Sequence, residues 1–183
     1  MAKARPVAGL SERDSYALAA ARVVEVRAAE LSEHAAGVLD TDDIESVHDM
    51  RVATRRLRAA LEVFEPCFSR KPFKVALREI KTLADALGER RDRDVTIAAL
   101  DEVASALATS DRAGVASLIA ALREEQAVAN ETLSACVSEE RLAGLRDRLE
   151  KLAEDAEARA GIVSDPADAE LASASAGNGA GLP

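Results

Sequence analysis

Apolar residues recur at three- and four-residue spacing along most of the chain, and the breaks in that rhythm mark out about six helices. The first covers about 11 to 38, with Leu18, Val23, Val26 and Leu31 as its apolar positions, Ser11 near its start and Gly37 near its end. A short acidic loop follows, where Asp42 and Glu45 resemble a capping box. The second helix, about 43 to 65, sets Met50, Leu57, Leu61 and Phe64 on one side and stops at Pro66, which cannot continue the hydrogen-bond ladder. Ser69 is the expected cap of a third helix that tolerates Pro72 in its first turn and ends at Leu87, where Gly88 supplies a left-handed stop. Further helices are expected over about 91 to 107, 111 to 136 after Ser110, and 139 to 160 after Ser138, with Gly161 as the last stop. Short connections between such helices predict antiparallel neighbours, hence an all-α, up-and-down helical bundle.

Composition sharpens this expectation. Of the 183 residues only 2% are aromatic and none is Trp, while Ala, Leu, Arg and Glu dominate, which favours helix over strand. A flexible segment over 1–9, a single helical domain over 10–162 and a disordered tail over 163–183, poor in residues to bury, are the expected divisions. Cys67 and Cys136 belong to no ligand or disulfide pattern and fit packing roles in a reducing cytoplasm. No stretch has the length and apolarity of a membrane span.

Net charge is −9, yet it is unevenly placed. Residues 46 to 93 hold twelve Lys and Arg against seven Asp and Glu, whereas 94 to 183 hold seven against seventeen. Binding follows the local field rather than the mean. The positive charge is densest in Val-His-Asp-Met-Arg-Val-Ala-Thr-Arg-Arg-Leu-Arg, residues 47 to 58. At 100° per residue His48, Arg51, Arg55 and Arg58 share an arc of about 80°, opposite the apolar side of the same helix. Like charges three and four apart repel, so the row calls for a compensating anion. Arg56 lies on the other side of His48 and could equally serve a helix contact. If the third helix turns the same face, Lys74, Arg78 and Lys81 join the row, and Arg90 and Arg91 sit at its mouth beside the Gly88 turn.

The run VHDMRVATRRLRAALEVF, followed by LREIKTLADALGERRDRDV, resembles the first half of a CHAD domain, the conserved-histidine α-helical domain. The resemblance implies a non-catalytic helical protein that binds inorganic polyphosphate through a basic channel and collects on polyphosphate granules in the cytoplasm. Carried over by position, it implies His48, Arg51, Arg55, Arg56 and Arg58 as ligand contacts, with Lys81 and Arg91 from the second block. Asp92 and Asp94 would orient arginines and cap the following helix; Arg90 and Arg93 are additional charges. Family members usually carry a second bundle with its own His- and Arg-bearing helix, and nothing after Asp94 resembles it. The chain thus reads as a half-length member, whose channel a homodimer would complete or whose basic face stays open. No CYTH-like segment with alternating Glu accompanies it.

Polyphosphate offers repeated charge and no bases, so it suits a ladder of guanidinium forks without aromatic platforms. His48 would add a further cation and donor once bound phosphate favours its protonated form. The competing readings are a solvated helix face, an adaptor whose later helices dock a partner through Val115, Leu118, Leu122, Leu133, Leu142 and Leu149, and a nucleic-acid binder using the same arginines. His48-Asp49 also invites a metal phosphohydrolase reading, but only His34 remains as a second histidine. No activated nucleophile, phosphate loop, metal cluster or catalytic carboxylate pair stands out, so neither catalysis nor a cofactor is expected.

Overall fold

The computed structural model describes residues 3–163, and these form five α-helices with no strand among them. They are α1 (Tyr16–Glu33), α2 (Ile44–Val63), α3 (Arg70–Ala106), α4 (Arg112–Cys136) and α5 (Glu139–Val163). The all-α expectation holds, and the helix count is corrected. The third and fourth expected helices are one, because Gly88 does not stop α3. Its φ is not left-handed; only Gly9 and Gly37 have positive φ among the described glycines. A glycine costs about 1 kcal/mol inside a helix, and α3 offsets this by packing on neighbours along its length. At 37 residues it is about 55 Å long and acts as the spine of the fold.

Around that spine α2 packs beside the first part of α3, and α1 lies against α2 and α5. Contacts from Arg148 to Glu79, 2.8 Å, and from Arg159 to Ser69, 2.9 Å, show that α5 runs antiparallel to α3, as Arg123 to Asp101, 3.6 Å, and Gln126 to Asp94, 2.6 Å, show for α4. α5 covers its N-terminal half and α4 its C-terminal half. The bundle core is built from Val24 and Leu31 of α1, Met50, Leu57 and Leu61 of α2, Ile80 and Leu87 of α3, and Leu149 and Leu152 of α5, all buried. Leu133 anchors the end of α4 in the same cluster. Elsewhere α4 packs chiefly on α3, and Leu118 and Val128 stay exposed. The expected disordered tail lies almost wholly outside the described residues.

Local chemistry shifts several expected boundaries. α1 starts at Tyr16, not near 11, because Ser11 and Asp14 close a turn of their own and Ser15 accepts the Leu18 N–H at 3.2 Å. The residues preceding α1 lie along it: Gly9 accepts from Arg22, and the Arg5 side chain pairs with Glu33. α1 is rich in alanine, which blurs its phase; Ala20, Ala21, Val24, Ala28 and the expected Leu31 are its buried apolar positions, and Leu18, Val23 and Val26 are only half-buried. Asp43, one residue past the expected Asp42, caps α2 by accepting the Glu45 N–H at 3.1 Å and the Ser46 hydroxyl at 2.7 Å. Ser69 precedes α3, but its hydroxyl accepts from Arg159 at 2.9 Å instead of capping. Arg159 also donates to the Cys67 carbonyl at 3.1 Å, so the Pro66 corner is tied to α5. Burial pushes the Cys67 thiol up, against the nearby Arg159 charge. Gly161 lies within α5 rather than ending it.

Gly37, ahead of α2, and Gly88, inside α3, make opposite predictions. A Cβ at Gly88 would meet Arg51 Nε at 3.9 Å, an ordinary contact, so Gly88→Ala stabilises the fold by about 0.5–1 kcal/mol through helix propensity. Gly37 has φ +79°, so Gly37→Ala destabilises by about 1 kcal/mol. Thermal unfolding of both variants checks the pair of signs.

Candidate functional site

The antiparallel register of α2 and α3 assembles the basic surface. Arg91 of α3 meets the start of α2, donating to the Ile44 carbonyl at 2.7 Å. Gly88 sits opposite Arg51. Further along, Glu62 of α2 lies 2.9 Å from Arg58 Nε and 3.9 Å from Lys81 Nζ. Two of the expected cations therefore meet across the helix pair through one shared carboxylate. The row His48, Arg51, Arg55, Arg58 occupies the outer side of α2, while Met50, Leu57 and Leu61 on the inner side are fully buried.

The row is poorly neutralised. Among the described residues no carboxylate lies within ion-pair distance of His48, Arg51 or Arg55, and Arg51 and Arg55 are exposed. Lys74, Arg78 and Lys81 share one stripe of α3, within an arc of about 60° at 100° per residue. Lys74 and Arg78 are exposed and likewise free of carboxylate partners among the described residues. Asp85 lies on the same stripe, an acid within the basic surface.

The other expected site residues are placed differently. Arg56 looks toward α1, where its charge acts on the buried Glu30. Burial alone would push the Glu30 carboxyl up. Hydrogen bonds from Arg27, 2.6 Å, and from the Arg5 backbone N–H, with the Arg27 and Arg56 charges, outweigh burial and hold it below the ordinary carboxylate range. Arg91 has only 17% of its side chain exposed and is turned to Ile44 and Glu45, the latter 3.7 Å away. Asp92 is exposed and caps nothing, since no helix begins beside it; its carbonyl accepts from Thr96 at 2.7 Å within α3.

Arg90 and Asp94 overturn the expected turn most directly. Arg90 does not stand at a mouth; it is 0% exposed, inside an unbroken helix. Asp94 lies 3.2 Å from Arg90, one turn earlier on the same helix. Asp94 Oδ1 also accepts from Gln126 of α4 at 2.6 Å. Asn130, one turn beyond Gln126, donates to the Leu39 carbonyl at 3.0 Å. This buried polar cluster pins α4 to the middle of α3. The sequence carried a signal for it: Arg90 and Asp94 continue the three-four spacing of Ala76, Ile80, Leu83 and Leu87, all buried.

The α2–α3 pair of this all-α bundle thus carries a row of cations, of which His48, Arg51 and Arg55 have no carboxylate within ion-pair distance among the described residues. Compared with known families, the chain matches the CHAD domain over residues 22–178, and it belongs to that family. No curated protein matches the chain. Among the described residues no helix is long and apolar enough to cross a membrane, and no group of three or more His, Cys, Asp or Glu could hold a metal ion.

Asp94 is the only carboxylate within ion-pair distance of Arg90 among the described residues. Asp94→Ala therefore destabilises the protein by about 3 kcal/mol or more, the range for stranding a buried charge. Replacing both partners with apolar residues, as in Arg90→Met/Asp94→Leu, recovers most of that loss in urea unfolding. A change below about 0.5 kcal/mol for Asp94→Ala, typical of an exposed site, would place the pair in water.

Proposed function

We propose that this protein binds inorganic polyphosphate, without catalysis, on the open face made by α2 and the first part of α3. The observation that carries the reading is the run of cations, His48, Arg51 and Arg55, without a carboxylate in ion-pair distance among the described residues, in a chain of net charge −9. An acidic protein has ample carboxylates to neutralise a surface row, and here the fold spends them elsewhere. Interior phosphates of the ligand each bring one negative charge, and guanidinium forks spaced a helical turn apart can grip successive phosphates with paired hydrogen bonds.

The reading gives each expected residue a role. His48, Arg51, Arg55, Arg58 and Lys81 contact the ligand, with Lys74 and Arg78 extending the track. Arg56 and Arg91 hold the ladder in place, Arg56 through the Glu30 cluster on α1 and Arg91 through the first turn of α2. Asp94 fixes α4 through Gln126 rather than touching the ligand. The family membership supports polyphosphate over other polyanions, since that is what the CHAD resemblance implies. Granules in the cytoplasm are the destination consistent with such a ligand.

Binding of long-chain polyphosphate across a salt series tests the proposal. For a flexible single-stranded polyanion the log-log salt slope is about −0.7 per phosphate neutralised, so five contacts give about −3.5 and Arg51→Ala/Arg55→Ala/Arg58→Ala flattens it by about 2. Glu62→Gln frees Arg58 and Lys81 from a competing carboxylate and strengthens binding by about two- to fivefold, the scale of an exposed ion pair. Competing single-stranded DNA of equal charge displaces the ligand weakly if polyphosphate is preferred. A well-folded wild type that does not bind, or a triple variant with an unchanged slope, contradicts the proposal.

A further inference from the structure

Where α4 ends and α5 begins, beside α3, the surface folds into a pocket of about 340 Å³. Arg78, Thr82 and Leu83 come from α3, and Arg141 and Leu145 from the first turns of α5. Arg78 and Arg141 are both exposed, and among the described residues neither has a carboxylate within ion-pair distance. The one acid in the lining, Glu79, is already bound by Arg148 through contacts of 2.8 and 2.9 Å. The pocket therefore presents two uncommitted guanidinium groups, from two helices, around a neutralised wall.

Its place on the molecule matters as much as its charge. Arg78 belongs to the same stripe of α3 as Lys74 and Lys81, and Lys81 shares Glu62 with Arg58 of the ladder. The basic track thus leads from the flat α2 face over α3 and into a concavity. A ladder on an open helix suits the interior of a phosphate chain, where each unit carries one negative charge. A terminal phosphate carries up to two, and two guanidiniums lining one pocket match that denser charge better than a row spaced along a helix.

We infer that the Arg78–Arg141 pocket is a terminal-phosphate site, which seats the end of a polyphosphate chain whose interior lies on the α2–α3 ladder. The inference rests on the polyphosphate reading and assigns Arg141, a residue remote in sequence from the cationic row, to ligand recognition. Because α5 carries Arg141 and α3 carries Arg78, the site exists only while α5 is docked along α3, so binding of a chain end also ties those helices together.

Calorimetry with linear tripolyphosphate and cyclic trimetaphosphate tests it, since both have three phosphates and only the linear form has ends. The wild type binds the linear form about tenfold or more tightly, the scale of one charge-assisted contact pair. Arg141→Ala brings the two affinities together, and Arg78→Ala does the same while also weakening long chains. Arg55→Ala lowers both short ligands alike, and Arg146→Ala, elsewhere on α5, leaves the ratio unchanged. If Arg141→Ala keeps the wild-type ratio while long chains still bind through Arg51, Arg55 and Arg58, the end site is wrong and the ladder stands. If the wild type binds no chain of any length, both readings fall. Tighter binding of ribose 5-phosphate than of tripolyphosphate would assign the pocket to organic phosphates and overturn the chain-end reading.

Discussion

The continuity of α3 through Gly88 fixes almost everything else in this molecule. A stop at Gly88 would let the two halves of the helix turn independently, and the alignment of α2 with α3 and of α4 with α3 would be unrelated. As one rod, α3 carries the partner of α2 on its first half and the partner of α4 on its second. Arg51 lies across the helix pair from Gly88, its Nε 3.9 Å from where a Cβ would stand. From there the register runs one way to Arg91 at the start of α2 and the other way to Lys81 beside Arg58.

Electrostatics divides the arginines of the central segment into three kinds by what surrounds them. Arg90 is buried and needs Asp94, because an uncompensated charge in the core would cost several kcal/mol. Arg56 and Arg91 are partly buried and serve helix contacts, with Glu30 on α1 and with the first turn of α2. Arg51 and Arg55 are exposed and have no carboxylate within ion-pair distance among the described residues. Residues that are neighbours in sequence thus have separate tasks, and the difference comes from a rotation of 100° per position. On this face Glu62 and Asp85 stand among the cations, but neither lies within ion-pair distance of Arg51 or Arg55.

Much of this was legible before any coordinates. α2 ended at Val63, shortly before Pro66, and the inner face of Met50, Leu57 and Leu61 packed as its spacing required. The outer row of α2 followed from the same periodicity. Gly88 was misread because a glycine after a helical run looks the same whether it ends the helix or sits inside it; only the neighbour across the helix pair distinguishes the two. The misplaced turn then carried Arg90, Asp92 and Asp94 with it. In α1 the alanines gave no clear phase, so half-buried Leu18, Val23 and Val26 looked more central than Ala20 and Ala21. The pocket at the α4–α5 junction was not legible at all, because Arg78 and Arg141 meet only through the packing of two helices on α3.

The most direct test of the account is the side-chain NMR signal of each arginine, Nε with its proton, during titration with long-chain polyphosphate at fixed ionic strength. The account predicts shifts concentrated at Arg51, Arg55 and Arg58, with the Arg90 signal unmoved in the core. Shifts spread evenly over Arg112, Arg123 and Arg146 as well, or absent from the α2 row, would contradict it.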